Sequence, residues 1–132
     1  MKIIIIDDER YKYENIADYI RRTGETNISW AKSRNSGLRQ IREAYMAGEP
    51  YDLVVCDNYM PIYDDEHNIK AYGMDIVNHL RARYDDSIFI CMSSSADLPE
   101  GEYDYSITYN SSIELSSDFN EMIRLAKSKI EK

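Results

Sequence analysis

The sequence is short of long apolar runs. No stretch approaches the roughly eighteen consecutive apolar residues of a membrane span, and the N-terminus enters an apolar strand at once, unlike a signal peptide. Only three prolines and five glycines are spread over 132 residues. No linker, repeat or low-complexity tract divides the chain, so residues 1–132 read as one domain, large enough to bury about two-thirds of its unfolded surface. No glycine-rich loop follows the first strand, which argues against a dinucleotide-binding fold. Basic residues are outnumbered 16 to 24, giving a net charge of −8 and no clustered Lys/Arg surface for nucleic acid. The two cysteines, Cys56 and Cys91, sit inside apolar runs and read as buried free thiols of a reduced, cytoplasmic protein. Twelve tyrosines are many for this length, and rings that bury while keeping a wet hydroxyl explain them without a special role.

What is present is alternation. Ile3–Ile6 is a continuous β-branched run suited to a parallel strand covered on both faces. A helix follows, with Tyr13, Ile16, Ala17 and Ile20 as its apolar stripe and Gly24 beyond its end. Ile28–Ala31 is a second strand; Leu38, Ile41 and Tyr45 mark a second helix closed by Gly48 and Pro50. Leu53–Cys56, Ile88–Met92 and a polar edge segment, Tyr103–Tyr109, complete five strands. A third helix carries Ile76, Val77 and Leu80. The last helix has Phe119, Met122, Ile123, Ala126 and Ile130 as its stripe, with Asp118 and Glu121 as its cap. Strands alternating with helices predict a doubly wound parallel sheet, whose ligands sit at the carboxyl ends of the strands.

Asp7, Asp8, Asp57 and Ser93 all fall at such ends. Two carboxylates about 4 Å apart repel by roughly 4 kcal/mol at an effective dielectric near 20, so either one protonates or a cation joins them. Oxygen donors without a nearby imidazole or thiolate favour Mg²⁺ or Mn²⁺ over zinc. His67 and His79 read as solvated loop and helix residues.

IIIIDDE (Ile3–Glu9), VVCDNYMP (Val54–Pro61), GMDIVNHLR (Gly73–Arg81) and IFICMSS (Ile88–Ser94), in this order, resemble the response-regulator receiver domain of two-component signal transduction. The resemblance implies a flavodoxin-like α/β fold with sheet order 2-1-3-4-5. It implies that Asp57 is the phosphoacceptor, forming an aspartyl phosphate by attack on a phosphohistidine of a histidine kinase or phosphotransfer protein. It further implies that Asp8, Asp57 and the backbone carbonyl of Tyr59 hold Mg²⁺, with Asp7 acting through a metal-bound water. The Ser93 hydroxyl would bond to the phosphoryl group and report it. A lone receiver of this kind, with no output domain, would be a phosphorelay switch with at most slow autophosphatase activity. It would signal through a downstream protein partner, bind neither nucleic acid nor membrane, and be a monomer or weak homodimer.

Three departures stand out. Alignment of GEYDYSITYN places Thr108 where the family has a lysine, and Tyr109 where a proline usually follows; Lys70, in a nearby loop, could substitute but reads first as a solvated surface lysine. Asp57 and Gly73 are 16 positions apart, so the loop after the third strand is extended by Ile62–Tyr72, an acidic insert over the site edge that reads equally as a gate, metal ligand or recognition element and as a solvated acidic loop. The segment from Ser93 to Thr108 is short and carries Pro99 and Gly101, so the fourth helix is expected to be shortened or lost. That helix belongs to the family's output surface. The missing lysine sustains an alternative, a phosphorylation-independent pseudo-receiver serving as an interaction module. A small aspartate-nucleophile phosphatase fits less well, because Tyr59 stands where such enzymes place a second acid.

Overall fold

A computed structural model of the chain describes residues 1–66 and 68–131; His67 therefore lies outside the described residues. The described residues form eleven elements in the order β1 (Ile3–Ile6), α1 (Arg10–Arg22), β2 (Ile28–Ala31), α2 (Arg34–Met46), β3 (Leu53–Cys56), β4 (Tyr59–Pro61), β5 (Lys70–Tyr72), α3 (Gly73–Tyr84), β6 (Phe89–Ser94), β7 (Tyr105–Thr108) and α4 (Ser116–Ile130). Five of the strands form one sheet in the order β2-β1-β3-β6-β7, with every pairing parallel. This is the 2-1-3-4-5 order expected, because β4 and β5 form a separate antiparallel hairpin between the third and fourth strands of the sheet.

The side-chain period of two sorts the strands into two cores. Ile3, Ile5, Leu53, Val55, Phe89, Cys91 and Ile107 face α1 and α4, where Ile16, Ile20, Phe119 and Met122 cover them. Ile4, Ile6, Val54, Cys56, Ile90 and Met92 face α2 and α3, where Ile41, Ile76, Val77 and Leu80 do so. Cys56 and Cys91 are free, buried and on opposite faces.

Among the described residues no helix joins β6 to β7; the fourth helix is lost. Arg81 of α3 holds the connecting segment in its place. Its guanidinium donates to the carbonyls of Glu102 (2.8 Å) and Ile88 (2.9 Å) and pairs with the Asp104 carboxylate (2.8 Å). Asp104 in turn accepts from the amide of Ile90 at 2.8 Å, so Arg81 and Asp104 together supply partners for the Glu102 carbonyl and the Ile90 amide without a helix. Leu98 and Tyr103 pack beneath it against the second core.

Two details at the last helix differ from expectation. It starts at Ser116 with Leu115 as N-cap, and Asp118 falls within its first turn; no side chain caps it, and Glu121 instead pairs with Arg124. Ile130, expected in the buried stripe, is half exposed.

Candidate functional site

The alternation that builds the first core also sets the site. Continuing the inward register places Asp7 after Ile5, Asp57 after Val55 and Tyr109 after Ile107, each one residue beyond its strand, and Ser93 after Cys91 near the end of β6, all toward α1. Asp7 and Asp57 are locked at the sheet edge by main-chain bonds: the Asp7 amide donates to Ala31 O (3.0 Å), and the Asp57 amide to Ile6 O (3.1 Å). Carboxylate oxygens of Asp7, Asp8 and Asp57 gather within 4.8 Å of one another. Asp7 is buried, whereas Asp8 and Asp57 are partly accessible from an open cleft of about 530 Å³.

A cation is already there, and it comes from an unexpected element. Lys12, in the first turn of α1, is 5% exposed. Its ammonium donates to Asp57 Oδ1 (3.0 Å) and to the main-chain carbonyl of Ser93 (3.0 Å), and pairs with Asp7 Oδ2 at 3.2 Å. It also lies 5.2 Å from the centroid of the Tyr109 ring. Burial disfavours its charge, but the two carboxylates more than offset this and raise its pKa above the ordinary value. Asp7 balances the other way. Burial raises its pKa; Lys12 and the Glu9 amide oppose this while Asp57 adds to it, and the carboxyl ends up at about 6.

Asp57 is held asymmetrically. Oδ1 accepts from Lys12 and from the amide of Asn58 (2.8 Å). Among the described residues Oδ2 accepts no hydrogen bond, which leaves one carboxylate oxygen for a ligand or an electrophile. Ser93 contributes a second unmet demand: its hydroxyl is fully buried and has no partner among the described residues. An unsatisfied buried hydroxyl costs about 1–3 kcal/mol, a cost that an incoming acceptor would remove.

The other expected residues take different places. Tyr59 lines the cleft at the start of β4. Thr108 is exposed and off the cleft, because it has the outward parity of its strand; Tyr109 is the residue of that strand end which faces Lys12. Lys70 lines the cleft from β5, but the ammonium in contact with the carboxylates is that of Lys12. The insert is not a loose acidic loop. Met60 and Ala71 anchor the hairpin in the second core, Asn35 N donates to Ile62 O (3.0 Å), and Ser33 donates to Asp64 at 2.6 Å, tying the insert to the start of α2. Asp64 and Asp65 stand apart from the acidic cluster. Gly73 closes the hairpin onto the site: its amide donates to Asn58 O at 2.7 Å, and a Cβ there would collide with the carbonyl of Asp57. His79 is exposed on α3.

No family model matches the sequence, and no curated protein matches it either. Solved structures do. A two-component response regulator from Cytophaga hutchinsonii superposes with a TM-score of 0.77 at 18% identity, covering 96% of each chain. A response regulator receiver domain protein from Clostridium thermocellum gives 0.71 at 20% identity, covering 98% of this chain and 96% of its own. A CheY-like receiver domain from Methylobacillus flagellatus gives 0.68 at 16% identity, over 96% and 98%. The chain has the receiver-domain fold of two-component response regulators. Its acidic strand ends lie at the carboxyl edge of that fold, where the strand order turns back on itself.

Proposed function

We propose that the protein is a phosphorelay switch that accepts a phosphoryl group on Asp57 from a histidine kinase or phosphotransfer protein and signals through a protein partner. The observation that carries this reading is the state of the Asp57 carboxylate. One oxygen is fixed by Lys12 and Asn58, the other accepts no hydrogen bond among the described residues, and Ser93, whose carbonyl shares the Lys12 ammonium with Asp57, has a buried hydroxyl without a partner among them. Asp57 Oδ2 would attack phosphorus while the donor's bond to it breaks, with the phosphoryl oxygens stabilised by Lys12 and the Ser93 hydroxyl. The oxygen donors fit a hard divalent ion. Asp8, Asp57 and the Tyr59 carbonyl would hold Mg²⁺, with Asp7 behind them, and the ion would supply charge neutralisation for the phosphoryl oxygens. The protein acts by changing state and not by turnover.

One feature favours the pseudo-receiver instead. Lys12 neutralises part of the acidic cluster from within, so the fold needs no metal to hold its carboxylates together. Incubation with Mg²⁺ and acetyl phosphate, followed by intact-mass measurement, separates the two. Gain of one phosphoryl group, lost in Asp57→Asn, supports the switch. An unmodified protein supports the interaction module, and continuous release of phosphate would indicate a phosphatase.

A further inference from the structure

We infer that Lys12 is the phosphoryl-binding cation of this site and that α1, the helix carrying it, is the element that reads the state of Asp57. The inference rests on the phosphoacceptor reading and assigns it a residue and a route.

Lys12 bridges the ends of three strands: Asp7 after β1, Asp57 after β3 and the Ser93 carbonyl in β6. With three acceptors for three ammonium protons, it has no spare donor. A phosphoryl group on Asp57 would add negative charge and new acceptor oxygens within reach of that ammonium, which must then exchange at least one existing partner for a phosphoryl oxygen. The exchange cannot stay local, because the side chain leaves from the first turn of a helix packed on the sheet. Two contacts would register it. Asn15, one turn along α1, donates to the Tyr109 hydroxyl at 2.7 Å, and the Tyr109 ring lies over the Lys12 ammonium. Tyr13, next to Lys12, stacks on Trp30 with centroids 4.4 Å apart, and the Trp30 indole donates to the Asp7 carbonyl at 2.8 Å.

The far end of α1 meets the start of α4. The Tyr19 hydroxyl accepts from the Leu115 amide at 3.2 Å, and its ring stacks on Phe119 at 4.9 Å. The helix-free β6–β7 connection, by contrast, is pinned by Arg81. The signal therefore leaves along α1 toward α4.

The transfer itself balances simply. Asp57 Oδ2 forms the new bond to phosphorus, the bond from phosphorus to the acetate oxygen of acetyl phosphate breaks, and acetate departs with the electron pair. Lys12 stays protonated throughout.

Three measurements on the full chain decide the matter. In wild type, the rate of mass gain with Mg²⁺ and acetyl phosphate is compared with Lys12→Gln, Lys12→Arg and the double variant Lys12→Gln/Tyr109→Lys, each checked for folding by circular dichroism. Lys12→Gln should slow phosphorylation by about 100-fold, within the range for loss of a charge-stabilising donor. Lys12→Arg should keep part of the rate, and the double variant should regain part of what Lys12→Gln loses. Hydrogen exchange of wild type, with and without Mg²⁺ and beryllofluoride, should show its main change in residues 10–22, accompanied by a shift in Trp30 fluorescence. This needs no variant to fold. A wild-type rate in Lys12→Gln, or exchange changes confined to residues 95–104 with α1 unaltered, would overturn the assignment while leaving Asp57 as phosphoacceptor. A wild type that takes up neither phosphoryl group nor beryllofluoride would overturn both.

Discussion

Replacing Asp7 by Asn should make the metal-free protein more stable above pH 6. Asp7 is 1% exposed, and burial, only partly relieved by Lys12 and aggravated by Asp57, lifts its carboxyl from 3.8 to about 6. A folded-state pKa above the unfolded value means that the protonated form is favoured by folding. That contribution is fully present below about pH 4 and is lost as pH rises through about 6. Two pKa units correspond to about 3 kcal/mol, which is the excess cost of the ionised group at pH 8. Asparagine is nearly isosteric, its carbonyl can still accept from the Glu9 amide, and Lys12 keeps Asp57 and the Ser93 carbonyl. Asp7→Asn should therefore gain up to about 3 kcal/mol at pH 8 in EDTA, a rise in Tm of roughly 10 °C for a domain of this size, and almost nothing at pH 4. Thermal unfolding followed by circular dichroism at the two pH values gives both numbers. A loss of stability at pH 8 would refute the reasoning, since it would mean that the Lys12–Asp7 attraction exceeds the cost of burying the carboxylate.

Other perturbations have equally definite outcomes. Arg81→Met removes the clasp on the β6–β7 connection and should cost about 2–4 kcal/mol in urea unfolding, with increased proteolysis confined to residues 95–104; an unchanged midpoint would remove the clasp from the account. Gly73→Ala forces a methyl group against the Asp57 carbonyl and should cost about 3 kcal/mol or more while lowering phosphoryl uptake, measured by urea titration and intact mass. Burial pushes both thiols up, so Cys56 and Cys91 should resist a thiol reagent at pH 8 until denaturant is added. Burial is the largest single influence on the Glu25 carboxyl and raises its pKa, but the hydrogen bonds and charges of the N-terminal amine and Lys127 together outweigh it and lower the pKa. Their stabilisation is present above the ordinary carboxyl pKa and is lost as pH falls through the lowered one, so Glu25→Gln should narrow the stability gap between pH 7 and pH 3.

The sheet and its order were legible because three of its strands open as unbroken apolar runs, each leading straight to a residue that matters: Asp7, Asp57 and Ser93. Asp7, Asp8 and Asp57 could be placed together from strand ends alone. Lys12 could not, because the resemblance places the site's cation at the end of the last strand, and no lysine stands there. The signal was nevertheless present: positions 12, 16, 19 and 20 share one helix face, so the stripe that buries Ile16 and Ile20 also buries Lys12. A lysine on an apolar stripe, one turn from an acidic strand end, is a candidate counter-ion. Thr108 is exposed while Tyr109, the next residue, faces Lys12, because one position along a strand exchanges inside for outside. The hairpin was missed because Tyr59–Pro61 and Lys70–Tyr72 are three residues each, and only pairing across the insert makes them strands. Pro99 and Gly101 did announce the missing helix, but not that Arg81, more than ten residues earlier, would take over its hydrogen-bonding role.

The central claim is that the free oxygen of Asp57 is the nucleophile. Borohydride reduces an aspartyl phosphate to homoserine, which peptide mass spectrometry locates to a single position. After treatment with Mg²⁺ and acetyl phosphate, homoserine should appear at position 57 and nowhere else, and only when both reagents are present. Conversion at position 7 or 8, or none at any position in a protein that remains folded, would contradict the account.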